Sequence, residues 1–120
     1  MSGAVLAVDD STSMRQLVKG TLKGAGYEVT SAIDGVEALE IAKTRGFDVV
    51  VTDVHMPRMN GIELVRELRA LPAYKLTPIL VLTTESHPEF RKQGKEVGAT
   101  GWIIKPFSPE QLLATIKRVC

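Results

Sequence analysis

Apolar residues of this chain gather in five short runs, at residues 5–8, 27–31, 49–52, 79–83 and 102–104, each rich in β-branched side chains. Runs of this length and composition predict strands. The first, third and fourth are apolar at successive positions instead of alternating ones, the pattern of strands covered on both faces. Between the runs the period changes to that of a helix. Met14, Leu17, Val18, Thr21 and Leu22 share one helical face, Val36, Leu39 and Ala42 a second, and Ile62, Val65, Leu68 and Arg69 begin a third. Leu112, Leu113, Ile116 and Val119 give the clearest stripe, near the C-terminus.

Boundary residues support this division. Ser108 can cap the last helix, with Pro109 in its first turn and Gln111 placed to complete a capping box. Asn60 and Gly61 open the third helix, while Gly24, Gly26, Gly46 and Gly98 fall where helices end. The fourth helix, around Phe90 to Val97, has the weakest pattern because Gly94 interrupts it at a cost of about 1 kcal/mol relative to Ala. It is the element expected to move.

Strands that alternate with helices imply parallel βαβ units with right-handed crossovers, hence an α/β fold with an open, doubly wound five-stranded parallel sheet covered on both sides. Such sheets bind ligands outside the carboxyl ends of their strands, where the strand order reverses.

Composition narrows the function classes. A length of 120 residues predicts one domain, residues 1–120, without a separate effector, so that any output uses the domain's own surface. Fifteen Lys and Arg against fourteen Asp and Glu give a net charge of +1, without the basic field that nucleic-acid binding needs. The single cysteine, Cys120, allows no intramolecular disulfide and no cysteine zinc cluster. The first apolar run meets Asp9 and Asp10 long before a signal peptide or membrane span is complete, so a cytoplasmic, membrane-free location is expected.

Chemistry concentrates at the predicted strand ends. Asp9 and Asp10 follow the first strand, Asp53 the third, Thr83 ends the fourth and Lys105 follows the fifth. Asp34 reads as a helix cap and Asp48 as a strand entrance, so the other two aspartates have structural explanations. Like charges about 4 Å apart repel by about 1 kcal/mol in water and about 4 kcal/mol at an effective dielectric of 20. Three carboxylates therefore call for a cation. Hard oxygen donors without neighbouring thiolates favour Mg²⁺, and with Lys105 such an ion would stabilise an incoming phosphoryl group. Asp53 would then be the nucleophile, forming an acyl phosphate. Each residue alone also has a plain reading: Asp9 and Asp10 as caps of the first helix, Asp53 as a turn, Lys105 as a surface cation. The set carries the signal.

Val8-Asp9-Asp10, Val51-Thr52-Asp53 with Met56-Pro57 and Asn60-Gly61, Leu82-Thr83-Thr84-Glu85, and Ile104-Lys105-Pro106-Phe107 together resemble the receiver domain of bacterial two-component response regulators, over the whole chain. The resemblance is to stand-alone, chemotaxis-type CheY-like receivers. It implies the flavodoxin-like (βα)5 fold with strand order 2-1-3-4-5. It implies that Asp53 accepts phosphate from a histidine kinase, that Asp9, Asp10, Asp53 and the His55 backbone carbonyl bind Mg²⁺, and that Lys105 contacts the phosphoryl group. It also implies a frequently cis Lys105-Pro106 bond, Thr83 as the hydroxyl that moves onto the phosphoryl oxygen, and a flagellar motor switch protein as output partner. Such a module is a signalling protein and not an enzyme, although it assists its own phosphorylation and dephosphorylation; a phosphatase is a further partner class, and a monomer is the expected state.

Trp102 stands where the family usually carries tyrosine or phenylalanine that turns inward as the threonine moves. An indole is bulkier and needs a partner for its N–H, so covering the sheet edge competes with a role in the switch. His55 and Glu85 occupy positions that tune phosphate lifetime in the family, and Thr84 is larger than the residue common at its place, which would narrow access. Two other functions compete with chemotaxis signalling: an intermediate receiver in a phosphorelay, and a Mg²⁺-dependent phosphatase of the haloacid dehalogenase type. The latter usually carries an acid-base aspartate two residues after its nucleophile, where this chain has His55. A flavin-binding flavodoxin is disfavoured because Asp9 and Asp10 would repel a phosphate.

Overall fold

The computed structural model describes residues 3–120 and contains β1 (Ala4–Val8), α1 (Thr12–Gly24), β2 (Glu28–Ala32), α2 (Gly35–Thr44), β3 (Val49–Thr52), α3 (Gly61–Arg69), β4 (Ile79–Thr83), α4 (Pro88–Val97), β5 (Gly101–Ile104) and α5 (Pro109–Val119). The strands form one parallel sheet in the order β2-β1-β3-β4-β5. Because β2 lies on one side of β1 and β3 on the other, the order reverses beside β1. A crevice opens there, at the carboxyl ends of β1 and β3.

The pleat explains the unbroken apolar runs. Val5 and Ala7, Val49 and Val51, and Leu80 and Leu82 face α1 and α5, where they pack with Val18, Leu22, Leu112 and Ile116. Their alternates Leu6, Val8, Val50 and Ile79 face α2 and α3, meeting Ala38, Leu64, Val65 and Leu68. Neither face is left to solvent, and each fully buried Leu or Ile contributes about 1.5–3 kcal/mol. The periodicity misjudged two helical positions. Leu17 lies on the flank of α1 and stays exposed, while Val18 and Leu22 are buried with Met14 packed beside them; on α2 the expected Ala42 is buried together with Ala38, and Val36 is only half-buried.

Capping also departs from the expectation at one end. Ser108 accepts the Gln111 amide at 3.0 Å, but the reciprocal capping box forms on α3, where Asn60 and Glu63 satisfy each other's backbone N–H groups. Gly98 ends α4 with φ +104°, a left-handed cap that glycine supplies without strain. A single 3₁₀ turn (Pro72–Tyr74) follows α3, unheralded by periodicity. It is held by Arg69, whose guanidinium donates to the carbonyls of Tyr74 and Thr77 at 2.7 Å each and to Gly98 at 2.8 Å. That one side chain fastens the ends of α3 and α4 to the start of β4.

Candidate functional site

The crevice collects residues from four strand ends. Asp9 follows β1 and is 6% exposed; Asp53 follows β3 and is also largely covered, whereas Asp10 is exposed. One carboxylate oxygen of each lies within 4.8 Å of the others. Lys105, beyond β5, reaches into this group: its Nζ donates to Asp9 Oδ2 at 2.8 Å and to Asp53 Oδ2 at 3.1 Å. Burial works against the ammonium, yet its hydrogen bond to Asp9 and the charges of Asp53 and Asp9 outweigh it and leave the Lys105 pKa raised. The lysine stays charged.

Local structure fixes each carboxylate. Val54 N–H donates to Asp53 Oδ1 at 2.6 Å, and Ser11 N–H donates to Asp9 Oδ1 at 2.9 Å. Ser11, not either aspartate, caps α1 by accepting the Met14 amide, so the acidic pair is free of that structural duty. Behind Asp53, the N-terminus of α3 comes so close that a Cβ on Gly61 would collide with the Asp53 carbonyl oxygen. The Lys105-Pro106 bond is cis. Arg15, which sequence patterning did not single out, donates to the Asp9 carbonyl at 2.7 Å.

The remaining candidates form the adjoining β4–α4 loop. Thr83 is fully buried, and its hydroxyl accepts the Glu85 N–H at 3.1 Å, a bond to the loop and not to Asp53. Glu85 in turn accepts from His87 N–H and pairs with His55 Nε2 at 3.0 Å, which together hold its carboxyl below the usual range. The His55 ring also meets Phe90 edge-on, at 5.4 Å between centroids. His55 and Glu85 thus span the mouth of the crevice from opposite sides. Thr84 is exposed.

Trp102 on β5 has the N–H partner that its indole requires: Nε1 donates to the Glu85 carbonyl at 3.2 Å. Gly94 acquires a different meaning here. It is buried on α4, and a Cβ there would lie 2.7 Å from Trp102 Cζ3, so the glycine is a recess for the indole and not merely a weak point of the helix. Gly94→Ala should gain helix propensity, about 1 kcal/mol, and lose it again by displacing the ring. We expect near-unchanged stability and a shifted Trp102 emission spectrum; unchanged emission would mean that the indole does not occupy the recess.

Three carboxylates and a lysine from three strand ends, a buried threonine from a fourth and a cis proline all coincide with the pattern of one family, and residues 5–117 match the response regulator receiver domain. The chain belongs to that family. The receiver superposes on the structure of Vibrio cholerae chemotaxis protein CheY4 with a TM-score of 0.95 at 56% identity, over 100% of both chains. It is 38% identical over 119 residues to the Bacillus subtilis alkaline phosphatase synthesis transcriptional regulatory protein PhoP, covering 99% of the receiver and 49% of PhoP, so the chain spans about half of that relative's length. A third likeness bears on the acidic cluster. The receiver domain of sensor histidine kinase PA1611 from Pseudomonas aeruginosa, 26% identical with a TM-score of 0.91 over 98% of this chain and 97% of that one, holds a magnesium ion in its active site cleft. Among the described residues, no helix is long and apolar enough to cross a membrane.

Proposed function

We propose that this receiver takes a phosphoryl group from a histidine kinase onto Asp53 and passes the signal to a protein partner through a conformational switch. The observation that carries this reading is the convergence of Asp9, Asp10 and Asp53 around a buried, charged Lys105. An Asp53 carboxylate oxygen attacks the phosphorus of a phosphohistidine protonated on its other ring nitrogen; the P–O bond forms as the P–N bond breaks, the electron pair stays on the ring nitrogen, and the imidazole leaves neutral with the proton it already carried. Asp9, Asp10, Asp53 and the His55 backbone carbonyl are the oxygen donors that would hold Mg²⁺, which offsets the charge of the transferring oxygens. Lys105 already lies 3.1 Å from Asp53 Oδ2 and exchanges that contact for a phosphoryl oxygen.

The switch follows from what Thr83 gives up. Its hydroxyl leaves the Glu85 amide for the phosphoryl group, and the loop it releases also carries the carbonyl that holds Trp102. Hydrogen bonds to charged groups contribute about 1.5–3 kcal/mol each, and inverting a 1:99 equilibrium takes about 5.5 kcal/mol. Two or three new contacts suffice. Trp102 is thereby coupled to the site, and His55 with Glu85, at the mouth, regulates how long the phosphate survives by controlling access of water.

Likeness to CheY4 supports a chemotaxis role, with a chemotaxis-type kinase as donor and a flagellar motor switch protein as recipient. The surface beside Trp102 suits such a recipient: Arg91, Lys92 and Lys95 of α4 line a groove of about 470 Å³ that ends on the indole. A dedicated phosphatase fits the same scheme. We read residues 1–120 as one cytoplasmic, monomeric signalling domain. Acetyl phosphate with MgCl₂ should phosphorylate the receiver, and Asp9→Ala combined with Asp10→Ala should remove the Mg²⁺ dependence and nearly all labelling; undiminished labelling would reduce the acidic pair to a loop feature.

A further inference from the structure

The loop that joins β3 to α3 carries both the Asp53 carboxylate and the His55 carbonyl, and its far side is fastened in an unusual way. Arg58 is the one non-glycine with positive φ among the described residues, at +67°, a conformation that side-chain-bearing residues keep only where surroundings enforce it. The enforcing contact is a fork. Arg58 Nε donates to Asp34 Oδ2 at 2.7 Å and Nη2 to Asp34 Oδ1 at 3.2 Å, a two-point geometry that fixes direction as well as distance. Asp34 is only 2% exposed, and its Oδ1 also accepts the Glu37 amide as the cap of α2. The Arg58 hydrogen bonds, and then that of Glu37, hold the Asp34 carboxyl below its ordinary pKa. Next to the fork, Gly35 N–H donates to the Met59 carbonyl at 3.2 Å, where a Cβ would lie 2.6 Å from the same oxygen.

We propose that the Arg58–Asp34 clamp is a positioning device for the phosphorylation site: by tying the β3–α3 loop to the start of α2, it sets the placement of the His55 carbonyl and the orientation of Asp53. Gly61 N–H closes the loop onto the Val54 carbonyl at 2.8 Å, and Val54 N–H holds Asp53 Oδ1. Among the described residues the loop's other side-chain pairs, Lys105–Asp53 and His55–Glu85, tie it toward β5 and the β4–α4 loop, and the clamp alone reaches α2. Neither Arg58 nor Asp34 hydrogen-bonds to Asp9, Asp10 or Asp53. Through space, the loss of the Arg58 cation would tighten and the loss of the Asp34 anion would weaken cation binding, so weaker binding in both single variants is the signature of an effect carried by the loop backbone. This inference rests on reading Asp9, Asp10 and Asp53 as the Mg²⁺ site.

The test is a ¹⁵N-resolved titration of the receiver with MgCl₂, together with amide hydrogen exchange of the metal-free protein, in Arg58→Ala, in Asp34→Asn and in the double variant. Asp34→Asn keeps an oxygen to cap α2 while weakening the fork. Each single variant should lower Mg²⁺ affinity roughly three- to ten-fold, at the lower end of losses seen when supporting partners of metal ligands are removed. The double variant should be no weaker than the worse single one, as expected for two residues acting as a unit. Exchange at residues 54–60 should rise without a matching rise in the sheet. Affinities within two-fold of wild type, or exchange in 54–60 unchanged, would overturn the clamp. If wild type itself binds no Mg²⁺ while exchange in 54–60 still rises in the variants, the metal reading fails and the clamp survives as a loop-ordering contact, which overturns its proposed role at the site.

Discussion

Lys105→Met should cost the metal-free receiver about 3 kcal/mol of stability and, at the same time, tighten Mg²⁺ binding. Breaking a buried ion pair by removing one partner typically costs about 3–5 kcal/mol, because the other charge stays desolvated and unpaired. Here two carboxylates lose their partner at once, with side chains only 8% and 13% exposed. The loss falls at the lower end of that range because the crevice admits water. The opposite sign for the metal arises because Nζ occupies Asp9 Oδ2 and Asp53 Oδ2, both of which are freed in the variant. Urea unfolding in EDTA and again in saturating MgCl₂ separates the effects: the deficit should shrink markedly with the ion, since binding to the folded state alone adds stability. An equal deficit in both conditions would mean that Lys105 supports the fold by packing and does not neutralise the site.

Gly61→Ala should destabilise the receiver by about 3 kcal/mol, at the top of the range for overpacking. Its new Cβ would meet the Asp53 carbonyl oxygen, the Asp53 carbonyl carbon at 2.8 Å and the Val54 Cα at 3.0 Å, all of them backbone atoms in the strand exit that holds the site. No side-chain rotation relieves that contact. Either α3 withdraws, breaking the bond from Gly61 N–H to the Val54 carbonyl, or β3 shifts and takes Asp53 with it. Urea denaturation measures the first consequence and acetyl phosphate labelling the second. A stability change below about 1 kcal/mol with normal labelling would show that helix and strand can separate freely.

Much of this arrangement was legible in the residues. Strands covered on both faces announce themselves by unbroken apolar runs, and the four strand-end motifs mark the crevice because a parallel sheet brings every carboxyl end to the same edge. β5 begins one residue earlier than expected, and β2 is shifted by one, since Tyr27 is buried in the core without joining the ladder. What the sequence could not disclose are pairings across space. Gly94 reads as a weak point of a helix until Trp102 is seen against it, Arg58 carries no sequence signal until it meets Asp34, and Arg69 reads as the edge of an apolar stripe although its guanidinium fastens two other elements. Each involves partners 8 to 29 residues apart in a relation that periodicity does not encode.

The proposed signalling role requires that Asp53 carry the phosphoryl group. Mass spectrometric peptide mapping after treatment with acetyl phosphate and MgCl₂ addresses it directly. A single acyl phosphate on Asp53, cleaved by hydroxylamine and missing from Asp53→Asn, is the expected result. An unmodified wild-type chain, or an adduct that persists undiminished in Asp53→Asn, would contradict it.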